Sequence, residues 1–417
     1  MNFTGFLRGS FLQRAARRRS ATGLFAAWLF APLFLSFAFA AVLEAAPAAQ
    51  RERSAQPSSK SAASIPISEF ARIVQDFSEE GGYFPADNFT SNETAYLQVT
   101  GKLKELAISG GAYVGVGPEQ NFTYIAKIRP SIAFIVDIRR QAVLQHLLYK
   151  AIFHQAADRA EFLSWLFSKP LSKDRAETKG SLEDLLKYIF QAPTSQETFT
   201  ANLAVLEKTI SGDFQIPLSG DDLESLRYIY SFFWRANLRI AYGYGFATLA
   251  ELILQTDLEG KLGNFLAHDD DFQFVRELEE HNRVIPLVGD FAGKKALGAV
   301  ADYLKKNGYS TSAFYTSNVE EYLYGDGVFD LFVDNVAKFP VTDHSVLIRS
   351  LRSPFAYRHP AAPPGTYRMT LLEKIPVFLD DFKKGFYPDY VSLVITHYIA
   401  GTEPRPAELG KEKEEGR

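Results

Sequence analysis

From Gly111 onward, short apolar runs alternate with stretches of helical periodicity. Ala112–Val116 (AYVGV) predicts a strand that runs straight into Gly117-Pro118, and a helix over Glu119–Lys127 follows. Ser131–Asp137 (SIAFIVD) predicts a second strand, apolar on both faces as buried parallel strands are. Gln141–Phe167 then carries Val143, Leu144, Leu147, Leu148, Ile152, Phe153, Phe162, Leu163 and Leu166 at helical spacing. Between Ser168 and His281 the pattern is helical, at Leu182–Phe190, Leu223–Trp234 and Phe246–Gln255, with no clear strand. Alternation resumes with strand Val284–Val288, helix Lys294–Lys306, strand Ser310–Tyr315, helix Val328–Ala337 and strand Ser345–Ile348. A mixed segment, Tyr367–Lys384, leads to a last apolar strand, Tyr390–Tyr398. This alternation predicts an α/β fold: a Rossmann-like, mostly parallel sheet of six or seven strands over residues 67–400, with a long helical insertion, about 168–281, between strands 2 and 3. Ligands on such sheets bind at the carboxyl ends of the strands, near the switch point, so the strand-to-helix turns are where chemistry is expected.

The first 43 residues obey different rules. Arg8, Arg14, Arg17, Arg18 and Arg19 precede an uncharged, largely apolar run, Leu24–Leu43. That is the layout of a secretory signal, with Ala38-Phe39-Ala40 or Ala46-Pro47-Ala48 as cleavage sites, or of a single N-terminal membrane anchor. Either implies an exported, periplasmic or membrane-anchored body. Residues 44–66, rich in Ala, Ser and Pro, read as a flexible linker, and residues 401–417 as a charged tail. The five arginines are the only charges before residue 44, so the remaining 40 basic and 49 acidic residues leave the body at −9. An acidic body argues against nucleic acid as a partner. The absence of cysteine excludes disulfides, thiolate metal sites and a cysteine nucleophile.

The turn after the first strand is Gly115-Val116-Gly117-Pro118-Glu119-Gln120-Asn121. Glycine there lets a backbone approach a ligand, and a helix N-terminus offers free N–H groups. Asp137 ends the second strand 20 residues beyond Gly117, the distance at which an acid accepts hydrogen bonds from a ribose diol. The bland alternative is tight strand–helix packing at the glycines, with Asp137 as a helix cap. If the nucleoside pocket is correct, Asp137→Ala should abolish ligand binding and change stability by no more than about 1 kcal/mol. The third strand ends Gly289-Asp290 and the fourth Ser317-Asn318, which would bring carboxylate, hydroxyl and amide groups to one rim.

This arrangement resembles the core of the class I S-adenosylmethionine-dependent methyltransferases over Ala112–Asp137 and Val284–Tyr398. It is also similar to a bacterial family of uncharacterised proteins that share Gly-Val-Gly-Pro-Glu-Gln-Asn-Phe and a Tyr-Gly-Tyr-Gly-Phe segment. The resemblance implies S-adenosylmethionine as cofactor, with Gly115, Gly117 and Glu119 beside its methionine and ribose end and Asp137 on the ribose hydroxyls. It also implies Asp290 near the adenine amine and Ser317-Asn318 at the methyl acceptor. Two positions depart from that pattern: Tyr113 stands where those enzymes carry an acid, and Glu119 where they often carry a third glycine. The alternative is a non-catalytic envelope protein that keeps the fold and binds a different ligand or partner.

Other segments carry weaker signals, and no catalytic residue is assigned. Glu80–Glu93 is a loop that could form a lid or a structural wrap, leaving the role of Glu93 open. Tyr242-Gly243-Tyr244-Gly245-Phe246 could line an acceptor pocket or simply pack. His268-Asp269-Asp270-Asp271 reads as a solvated helix start and not a metal site, since acids favour helix N-termini.

Overall fold

The computed structural model describes residues 63–175, 180–352, 359–362 and 368–401. The expected signal or anchor, nearly all of the linker and all but the first residue of the tail lie outside the described residues. Among the described residues, no helix is long and apolar enough to cross a membrane.

The chain opens with helix α1 (Ile67–Phe77) and, after a loop, α2 (Thr100–Glu105). Strand β1 (Ala112–Gly115), helix α3 (Gln120–Ile128) and strand β2 (Ile132–Asp137) follow. After β2 come α4 (Arg140–Gln155) and α5 (Arg159–Phe167), and the insertion then adds α6 (Leu182–Gln191), α7 (Gln196–Lys208), α8 (Gly220–Ala236), α9 (Leu249–Ile253) and α10 (Asp269–Glu280). Then come β3 (Val284–Val288), α11 (Ala296–Lys306), β4 (Thr311–Ser317), α12 (Val319–Gly325) and α13 (Phe329–Val336). The chain continues through β5 (Val341–Arg352), β6 (Arg368–Lys374), α14 (Ile375–Lys383), α15 (Tyr390–Ile395) and β7 (Ile399–Ala400).

The seven strands form one sheet in the order β3-β2-β1-β4-β5-β6-β7. The pairs among β1 to β5 are parallel; β6 runs antiparallel to β5, and β7 antiparallel to β6. The chain steps outward from β1 to β2 and β3, then returns to lay β4 on the other side of β1. The switch point therefore lies between β1 and β4. Every residue of β1, β2 and β3 is buried, which is why these strands stand out as uninterrupted apolar runs. Pro286 is tolerated inside β3 because that strand pairs on one side only.

Three departures from the periodicity have a local cause. Gln141–Phe167 is two helices, because Asp158 accepts hydrogen bonds from the N–H groups of Ala160 and Glu161 (3.0 Å each) and starts α5 afresh. Phe246 lies ahead of α9, which begins behind a Thr248–Glu251 capping box. The expected strand Tyr390–Tyr398 is mostly helix. A box between Asp389 and Ser392 nucleates α15, and strand pairing is left to Ile399–Ala400. Local capping here overrides the β-propensity of Val391, Val394 and Ile395.

The abundant phenylalanines weld the insertion to the sheet's helices. Phe122 of α3 packs edge-on against Tyr149 and Phe153 of α4, and Phe153 lies 4.6 Å from Phe162 of α5. Lys150 and Glu279, both fully buried, bridge α4 and α10 at 3.6 Å, with the ammonium between the rings of Phe70 and Phe214. The acidic run does start a helix, with His268, Asp269 and Asp270 exposed, but Asp271 is buried and accepts from Lys127 (2.6 Å) and Arg129 (3.1 Å). Among the described residues no cluster of His, Asp and Glu is arranged to hold a metal ion.

Candidate functional site

Residues 79–93 form neither helix nor strand. They run as a strap across the carboxyl ends of β3, β2, β1 and β4, pinned at each crossing. At β3, Glu79 accepts from the backbone N–H groups of Asp290 (3.0 Å), Lys295 (2.6 Å) and Ala296 (2.8 Å), so it caps α11 from outside that helix. At β2, the Gly82 N–H donates to Ile138 O (2.7 Å), and Arg139 donates to the carbonyls of Ala86 and Asp87. At β1, the Thr90 hydroxyl (2.9 Å) and the Ser91 N–H (3.2 Å) both donate to Glu119 Oε1. At β4, Glu93 takes the Ser317 hydroxyl on Oε1 and the Gln120 amide (2.7 Å) on Oε2.

The first turn is built around one amide. Asn121 Nδ2 donates to the carbonyls of Val116 (2.9 Å), Gly117 (3.0 Å) and Pro118 (2.8 Å), and its Oδ1 accepts from the Tyr113 hydroxyl (2.9 Å). A Cβ on Gly115 would fall 2.0 Å from Asn121 Oδ1, so that glycine is required by packing. Gly117, at φ +79°, differs: a Cβ there would meet nothing within 4 Å. His146 donates from Nε2 to Gly117 O (2.8 Å), and burial pushes its pKa down to about 4, leaving the ring neutral.

Glu119 is buried, and its Oε2 has no hydrogen-bond partner. Burial pushes its pKa up to about 7 against the pull of the Thr90 and Ser91 donors. Its carboxyl also lines a narrow apolar cavity with Tyr149, Phe162, Leu166 and Phe265. Asp137 is buried too, but its partner is internal: Arg139 grips both oxygens, Nε to Oδ1 (3.1 Å) and Nη2 to Oδ2 (3.0 Å), and adds its own backbone N–H (3.0 Å). Asp290 is half-buried and closes its own turn by accepting from Ala292 N–H (2.9 Å). Ser317 stands at φ +53°, a strained value for a residue with a side chain, and remains half-exposed beside Asn318.

Glu119 and Ser317 thus join one network through Ser91, Gln120 and Glu93. Asp137 and Asp290 meet other stretches of the strap. Gln120 also donates to the Tyr315 hydroxyl (2.9 Å). Next to this network, Arg349 of β5 lies buried between Glu320 (2.6 Å) and Glu373. Aromatic pairs flank the rim: Phe84 with Tyr322 (5.6 Å between centroids) and Tyr242 with Phe246 (5.0 Å), with the Arg368 guanidinium over Phe246 and its Nη1 on Asn92 O (2.6 Å). The sequence hid Arg139, Gln120, Tyr315 and Glu79 as site residues. The Asp-x-Arg spacing at 137–139 was the one signal available for any of them.

A family model described as a domain of unknown function (DUF7790) matches residues 88–384, well over half of the chain. The chain belongs to this family. No curated protein matches it. The DUF7790 span opens inside the strap at Asn88 and runs to Lys384 at the end of α14, so it contains β1 to β6 and the whole Glu93–Gln120–Ser317 network. Within the DUF7790 domain the expected site residues are engaged by protein groups. Asp137, the expected ribose acid, is committed on both oxygens to Arg139.

Proposed function

We propose that the DUF7790 domain is a binding protein for a small molecule of nucleoside type, held at the carboxyl rim between β1 and β4, and that it is not a methyltransferase. The observation that carries this reading is the buried polar network Glu93–Gln120–Tyr315–Ser317 at the switch point. These residues come from three distant segments of the chain, and burying Glu93, Gln120 and Tyr315 is costly unless they are hydrogen-bonded. Convergent polar groups at a strand-end crevice are what a small-molecule site requires. Phe84, Tyr322, Tyr242 and Phe246 supply faces against which a flat ring stacks, and Ser317 and Asn318 offer acceptors for its N–H groups. The uncharged run Leu24–Leu43 supports delivery of this domain across, or its anchoring to, a membrane.

Calorimetric titration of the full chain in mild detergent with adenosine, S-adenosylmethionine and S-adenosylhomocysteine tests the proposal. Adenosine should bind, and Tyr322→Ala should weaken it about tenfold, as expected for one lost stacking face. No binding of any nucleoside would sink the reading. Tight binding of S-adenosylmethionine in preference to adenosine would replace it with the methyltransferase reading.

A further inference from the structure

We propose that the cavity behind Glu119 is a second binding site, separate from the rim, that takes one ammonium ion, and that Glu119 is the residue that holds it. This goes beyond the nucleoside-type reading and does not depend on it.

The two oxygens of Glu119 have different surroundings. Oε1 is held on the strap side by the Thr90 hydroxyl (2.9 Å) and the Ser91 N–H (3.2 Å). Oε2 is buried and has no hydrogen-bond partner. The cavity that this carboxyl lines is walled by α4, α5, α9 and residues 264–266, and it offers about 10 Å³ to the centre of a water-sized molecule, room for one. Its other polar groups are already engaged. Asn264 donates from Nδ2 to the Tyr96 hydroxyl (3.0 Å) and accepts on Oδ1 from the Leu266 N–H (3.0 Å), and the Tyr149 hydroxyl accepts from Gln145 (2.8 Å). Three rings stand together on the wall, with Tyr149 6.5 Å from Phe162 and Phe162 5.9 Å from Phe265 between centroids. The rest is leucine and isoleucine, and among the described residues no lysine, arginine or histidine lines the cavity.

Size, the unpartnered oxygen and the rings together select the guest. A buried water makes about three hydrogen bonds, and this wall leaves it the Glu119 oxygen and little else. A hard metal cation takes a shell of six or more oxygens, which the wall does not supply. Ammonium is the size of water, donates an N–H to Oε2 and carries a charge that aromatic rings attract. A proton competes with it, since burial pushes Glu119 up to about 7. The titratable groups whose fields meet this carboxyl are Glu93, which adds to that rise, and Tyr96 and Tyr149, both pushed up by burial and therefore neutral. Ammonium binds the ionised form and so makes the Thr90 and Ser91 contacts charge-assisted, which tightens the strap where it crosses β1.

The test is thermal unfolding of the full chain in mild detergent, in equal concentrations of ammonium, sodium, potassium and tetramethylammonium chloride at pH 8, for wild type and Glu119→Gln. Hydrogen exchange at the Ser91 N–H is followed alongside. Ammonium should raise the wild-type midpoint by about 2–4 °C over sodium, the shift for an ion present at roughly ten times its Kd. Potassium, which has no N–H, and tetramethylammonium, which is too large, should not. The rise should shrink at pH 6, where the proton holds Glu119, and vanish in Glu119→Gln. Exchange at Ser91 should slow in ammonium more than in the rest of the strap. Equal midpoints in ammonium and sodium overturn the proposal and leave the cavity to a water or the proton. A rise shared by potassium overturns ammonium as the ligand, and one that persists in Glu119→Gln overturns the role of Glu119. Should Glu119→Gln fail to fold, Leu249→Phe, which fills the cavity and keeps the carboxyl, gives the comparison: the ammonium effect should disappear there too, and its survival overturns the site.

Discussion

Asp137 shows how a residue's neighbours decide its role. Read along the chain it is an acid at the end of a strand, free to meet a ligand or cap a helix, with a mutational cost of about 1 kcal/mol. In the fold it is one half of a buried bidentate pair with Arg139. Removing it leaves a guanidinium buried without its counter-charge, so Asp137→Ala should cost about 3–5 kcal/mol in urea denaturation. Asp137→Ala/Arg139→Met should recover most of that loss; a double variant as unstable as the single one would show that the pair is not the cause. Glu119 carries a pH signature of definite sign. Its pKa rises from 4.5 to about 7, so the folded chain holds a proton that the unfolded chain releases. Its contribution to stability is complete below pH 4.5 and drains away as pH rises to 7, by roughly 3 kcal/mol. Denaturation midpoints at pH 5 and pH 8 should therefore lie closer together in Glu119→Gln than in wild type. Part of the slope should remain, because Glu279 is also pushed up to about 7 by burial.

At the scale of elements, the strap is the part of the fold that periodicity could not reveal. β1, β2 and β3 are legible because a strand buried on both faces must be apolar throughout. The strap has no such rule, since its structure is fixed by partners 27 to 224 residues away along the chain. The same blindness explains why Glu93 carried no role in the sequence while the Gly115–Gly117 turn did. The turn's chemistry is local, whereas that of Glu93 depends on Gln120 and Ser317 arriving from elsewhere. Glu79 offers a clean test of the strap as a structural component. It caps α11 although it precedes that helix by more than 200 residues. Glu79→Ala should destabilise the fold by about 1–2 kcal/mol, the usual range for a lost cap. Hydrogen exchange at Asp290, Lys295 and Ala296 should speed up more than elsewhere. Uniform acceleration across the sheet would assign Glu79 a global role instead.

Across the whole molecule, the insertion and the sheet share one core, and its most demanding contact is the Lys150–Glu279 bridge. Burial pushes the lysine down and the glutamate up, so each partner tolerates the interior because of the other. Lys150→Met and Glu279→Met should each destabilise the fold by about 3–5 kcal/mol. The double replacement should come close to wild type, because paired removal leaves no stranded charge. Thermal unfolding of the three variants decides this, and simple additivity would count against it.

The strap also has a history within each synthesis of the chain. Its residues leave the ribosome early, yet Glu79 must wait for Ala296 and Glu93 for Ser317, some 217 and 224 positions later. At elongation rates of about 5–20 residues per second, that delay is roughly 10–45 seconds. Throughout that time Glu79 lacks its α11 partners and Glu93 lacks Ser317, whereas Thr90 and Ser91 need only Glu119 and Gln120, made about 29 positions later. The segment translated among the first is therefore among the last to be fully pinned in place.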